Sequence, residues 1–137
     1  MSVTELDTTG GPEVGGPEAH ASAPSGRWLA VLLLVTGALH FVVPRFFEDI
    51  VPRWAGNARF HVVWSGVAEL LAGSLLLVPG TRRVGAWLAL VVLVAVYPAN
   101  VQMALEAGRP KDLESVALWA RLPLQLPMWR TAWRLTR

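Results

Sequence analysis

Cysteine is missing from all 137 residues. Disulfides, thiolate nucleophiles, cysteine-ligated zinc and iron–sulfur clusters are therefore excluded, and any redox role must rest on a bound cofactor or a partner. Charge is the second shortage. Only 16% of the chain is Asp, Glu, Lys or Arg, against roughly a quarter in soluble domains. The net charge is +2, and the arginines flank apolar runs instead of forming a basic stripe, so nothing points to nucleic acid. Residues 1–26 lack any apolar period. They also lack the basic start and early apolar core of a secretory signal. Gly, Pro, Ser, Thr and Glu dominate them, which predicts a disordered tail with His20 in solvent.

What is abundant is apolar: 53% of residues are hydrophobic, and the mean hydropathy is +0.43. After the tail this material falls into four runs, 27–43, 59–78, 84–105 and 113–135. Pro44, Pro79-Gly80 and the stretch 106–112 punctuate them. The expected fold is all-α: a four-transmembrane-helix antiparallel bundle, with residues 1–26 as tail and 27–137 as one membrane domain. Pro98 is expected to kink the third helix; Pro123 and Pro127 make the path of the fourth irregular. Between the first two runs, residues 44–58 mix Phe46, Phe47, Ile50, Val51 and Trp54 with charged residues. That mixture fits either a short interfacial helix lying as a lid over the bundle or a plain interfacial linker. Trp28, Trp64, Trp87, Trp129 and Trp133 sit toward run ends, as an aromatic belt does.

Orientation follows from the basic residues. The tail side holds Arg27, Arg82, Arg83, Arg130, Arg134 and Arg137. The other side holds Arg45, Arg53, Arg59, Arg109 and Lys111. The excess predicts a multi-pass protein of the cell membrane with both termini cytoplasmic.

Each apolar run also carries a polar exception. Glu69 lies ten residues after Arg59, about 15 Å into its helix, and Arg121 lies about 12 Å into the last one. His40 and Asn100 come late in the first and third helices, which run opposite to those of Glu69 and Arg121, and Gln125 is one turn from Arg121. All five therefore share the half of the bundle nearer the 44–58 loop. A carboxylate or guanidinium alone at a helix centre costs at least about 2.5–3.5 kcal/mol on insertion scales, so Glu69 and Arg121 are the natural pair. That pair reads either as a register-fixing ion pair or as a ligand or proton site. Ser65 shares a face with Glu69 and Tyr97 lies one turn before Asn100, as peripheral members. Gly66, Ala68, Ala72 and Gly73 allow close helix approach. His40 fits a hydrogen bond to Glu69 or Asn100 better than haem ligation, His61 is expected at the membrane surface, and no metal site is expected.

The segments GALHFVVPRFF (37–47), SGVAELLAGSLLLVP (65–79), YPANVQMAL (97–105) and ARLPLQLP (120–127) resemble, in that order, the DoxX family of small four-helix membrane proteins. The resemblance covers residues 28–135 and implies membrane redox or oxidative-stress complexes, with His40, Glu69, Asn100, Arg121 and Gln125 as the matching polar positions. The absence of cysteine departs from the thiol-bearing relatives.

The functional expectation is a DoxX-like membrane protein that binds a quinone non-covalently, as an accessory subunit of a redox complex. In that role His40, Arg121 and Gln125 would donate to the carbonyls, and Glu69 or His40 would carry protons. Its partners would be membrane lipids, a redox protein and a second copy of itself. One alternative is a non-catalytic scaffold whose ion pair is structural. Another is a small-molecule or proton transporter, which the lack of inverted repeats disfavours.

Overall fold

A computed structural model describes residues 26–137. The expected disorder of the tail, and the solvated His20, lie outside the described residues. Every regular element among those residues is helical: α1 Arg27–Val42, α2 Pro44–Glu48, a single 3₁₀ turn Arg53–Ala55, α3 Ala58–Leu77, α4 Arg82–Ala107 and α5 Leu113–Leu135.

Local chemistry sets the boundaries. Pro44 cannot continue α1, so the chain turns at Val43 and Pro44 opens α2 as its first residue. Asn57 caps α3, its side-chain oxygen accepting the Phe60 N–H at 3.2 Å. Val78, extended before Pro79, ends it. Gly108, at φ +69°, ends α4. Asp112 opens α5 through a reciprocal box with Ser115: the Asp112 carboxylate accepts the Ser115 N–H at 2.8 Å, and the Ser115 hydroxyl accepts the Asp112 N–H at 3.1 Å. Helix continues through Pro98, Pro123 and Pro127.

The helices pack in chain order, antiparallel, α1 on α3, α3 on α4 and α4 on α5, while α1 and α5 barely touch. Gly66, Gly73 and Gly85 permit the closest approaches. A Cβ on Gly66 would stand 2.8 Å from the His40 Cβ, and one on Gly85 would stand 2.7 Å from the Leu76 backbone nitrogen. The buried apolar core gathers at the end holding the C-terminus: Leu29, Leu33, Ala72, Leu76, Ala89 and Ala132. There Leu135 closes on Gly26. Toward the other end α1 and α5 part, and a cleft opens between them.

Of the four expected membrane spans, two stand by length and composition. Two helices, Ala58–Leu77 and Arg82–Ala107, are long and apolar enough to cross a membrane. α1 has 16 residues, about 24 Å of rise, short of a hydrocarbon core of about 30 Å. α5 is long enough but carries Glu114, Arg121 and Arg130 among its first 18 residues.

Candidate functional site

The cleft holds about 850 Å³. Its walls are mostly aliphatic and aromatic side chains of α1, α3, α4 and α5, and five of the predicted polar residues line it together: His40, Glu69, Asn100, Arg121 and Gln125. Ser65 joins them. Tyr97 does not; its ring lies 5.1 Å from that of Trp129 on the side of α4 that meets α5.

Glu69 is 7% exposed and His40 8%. The Ser65 hydroxyl faces Glu69 Oε1 at 3.5 Å, the weak end of hydrogen-bond range, whereas Glu69 Oε2 is buried with no hydrogen-bond partner among the described residues. Oε2 lies 3.7 Å from His40 Nδ1. That nitrogen is already engaged: it donates to the Thr36 carbonyl at 2.7 Å, so the neutral ring carries its lone pair on Nε2. Gly66 makes the arrangement available, since any side chain there would displace His40.

The direct Glu69–Arg121 pair is not formed. Among the described residues His40–Glu69 is the one acid–base pair within 4.0 Å, and Arg121 acts on Glu69 only at longer electrostatic range. The reason is the helix order. α5 packs on α4 and not on α3, so Arg121 stands across the cleft from Glu69. Nor does His40 bond Glu69 or Asn100, because the carbonyl one turn back on α1 takes its proton.

Asn100 and Gln125 form a separate, self-satisfied unit. The Asn100 amide donates to Gln125 Oε1 at 3.2 Å, and Gln125 Nε2 donates to the Leu93 carbonyl of α4. Gln125, 3% exposed, thus ties α5 to the segment of α4 just before Pro98.

Sequence reasoning missed Phe47, whose ring stacks on His40 at 3.9 Å and 18°. It follows the chain reversal at Val43–Pro44, which no residue spacing encodes. The segment 47–55 covers the loop end of the cleft through Phe47, Ile50, Val51, Pro52 and Trp54. It is tied down at two points: Trp54 Nε1 donates to Gln102 Oε1 of α4 at 3.1 Å, and His61 Nε2 meets the Ala55 carbonyl at 2.8 Å. His61 is therefore an anchor of that cover. Thr36 was also missed, although its position one turn before His40 puts both on one face. Among the described residues no three His, Asp or Glu side chains converge as metal ligands.

The resemblance to DoxX proteins does not hold, because the family model that fits this chain is a different one. The four quoted segments consist of small residues at helix contacts, prolines inside or just beyond helices, and a few polar residues in each helix. Any bundle that packs closely around a polar centre needs those features. No characterised protein and no solved structure matches the chain. The match spans residues 29–136, the whole of the bundle and its cover, and by it the chain belongs to the family described as Domain of unknown function (DUF8561).

Proposed function

We propose that this chain is a multi-pass membrane protein that holds one lipophilic molecule with a hydrogen-bonding head in the cleft between α1 and α5. The carrying observation is Glu69 Oε2, a buried acceptor without a donor on the wall of an apolar cleft. Buried polar atoms are ordinarily satisfied; Asn100 and Gln125 bond each other and the Leu93 carbonyl, whereas Glu69 Oε2, on the cleft wall, is left open. A ligand hydroxyl supplies the missing donor. Arg121, across the cleft, supplies a donor to a carbonyl or ether oxygen of the same head, and the aliphatic walls take its tail.

The membrane setting, with α1 and α5 also crossing, is supported by the outward residues of all four long helices. Val31, Val35, Val67, Leu71, Val94 and Leu126 are each 42–56% exposed, an apolar surface that water would penalise. An isoprenoid quinone in its reduced, hydroxyl-bearing form is the class we name, and the chain then serves as the quinone-holding accessory of a membrane redox partner. Both termini lie on the cytoplasmic side.

Trp28, Trp54 and Trp64 line the cleft, so binding reads out in intrinsic fluorescence. Titrating the purified chain with ubiquinol and menaquinol is expected to give a saturable change. Glu69→Gln is expected to weaken it about 10–100-fold, the size of a lost hydrogen bond to a charged group, with helicity by circular dichroism intact. Absence of a saturable signal with either quinol and either quinone would sink the reading.

A further inference from the structure

The two ends of the bundle differ sharply in charge. At the end carrying the start of α1, the turn between α3 and α4 and the end of α5 lie Arg27, Arg82, Arg83, Arg130, Arg134 and Arg137, with no acidic residue among the described ones there. At the other end Arg45, Arg53, Arg59, Arg109 and Lys111 are matched by Glu48, Asp49, Glu106, Asp112 and Glu114 in the sequence.

The arginine end is also built. Arg83 Nε donates to the Thr136 carbonyl at 2.6 Å, which fixes a guanidinium of α4 beside the last residues of α5 and leaves its terminal nitrogens for other acceptors. The Arg137 guanidinium lies over the Trp133 ring at 5.6 Å. Trp133 meets Trp87 edge to face at 6.0 Å, and both indoles are about half exposed. Indoles at headgroup depth with arginines just beyond them are the arrangement that membrane interfaces select.

We infer that this end is a binding surface for anionic phospholipid headgroups, centred on Arg83, Arg134, Arg137 and the Trp87–Trp133 pair. The phosphate takes the guanidinium forks, and the indoles lie along the glycerol and upper acyl region. The inference rests on the membrane reading above but not on the cleft ligand. Residues 1–26 carry Glu5, Asp7, Glu13 and Glu18 and no Lys or Arg, so the chain's own tail is the rival occupant.

The test uses the full chain in bilayers, with spin-labelled phosphatidylglycerol and phosphatidylcholine compared for association at the protein surface. At low salt the anionic lipid is expected to be preferred several-fold, each nearby basic group being worth about fivefold at most. Half-molar salt, or the combined changes Arg83→Gln, Arg134→Gln and Arg137→Gln with unchanged helicity, is expected to bring the ratio close to one. Millimolar inorganic phosphate is expected to leave the preference in place. A ratio near one for the unaltered chain, or one untouched by the three changes, overturns the inference. So does displacement by inorganic phosphate, or a preference that emerges only after residues 1–25 are deleted, since the tail is then the occupant. A chain that alkaline carbonate strips from the bilayer fails the membrane reading as well, whereas a retained chain without lipid preference fails only this one.

Discussion

Asp112 holds the start of α5 by a bond whose strength depends on its charge. The backbone hydrogen bond from Ser115, reinforced by the Ser115 hydroxyl, holds its carboxyl below the usual aspartate value of 3.8. A group with a depressed value in the fold stabilises it above the unfolded value and loses that contribution as pH falls through the folded one. Protection of the Ser115 amide against hydrogen exchange is therefore expected to hold at neutral pH and to decline below about 3.8. Asp112→Ala should remove it at all pH values. Asp112→Asn should retain part of it without the pH dependence, because the amide oxygen still accepts. This cap is local, Asp112 and Ser115 at spacing three, but an apolar period does not reveal it. The choice of partner for Glu69 is not local, because it depends on which helix lies opposite.

At the scale of elements, the α1–α3 contact sets the site. Gly66 leaves no room for a side chain beside His40 and Phe41. Gly66→Leu is expected to lower stability by about 1–3 kcal/mol through overpacking, seen as a lower thermal unfolding midpoint. It is also expected to weaken quinol binding, because His40 and the Phe47 ring stacked on it must move with α1. Leu77→Ala at the far end of the same helix, on an exposed position, should leave binding unchanged. The small residues of α3 were legible as a packing face. The cover made by residues 47–55 was legible only as an amphipathic mixture, since nothing in the sequence says that its anchors Gln102 and His61 reach Trp54 and the Ala55 carbonyl.

At the scale of the whole molecule, the cysteine-free sequence makes topology directly measurable. Gly80 lies in the α3–α4 turn with open space around it, and Pro110 lies in the exposed α4–α5 loop at the opposite end. With single cysteines at either position, a membrane-impermeant maleimide is expected to label Pro110→Cys in intact cells and Gly80→Cys only after permeabilisation. Labelling of both from one side would remove α4 as a crossing helix and with it the charge-based orientation.

Composition and periodicity alone determined that the described chain is helical, where its four long helices lie to within about two residues at each end, and that Glu69, His40, Asn100, Arg121 and Gln125 are the polar exceptions within them. Those properties depend on residues near in sequence: apolar period, proline, caps, and a fixed rise of about 1.5 Å per residue. Tertiary structure decided what sequence spacing cannot hold. Packing α5 on α4, with little contact to α1, placed Arg121 across a cleft from Glu69, and a chain reversal at Pro44 laid Phe47 on His40. The buried carboxylate that stood out in the sequence as a lone charge in an apolar run thereby came to lie next to His40, with one of its oxygens, Oε2, left without a hydrogen-bond partner.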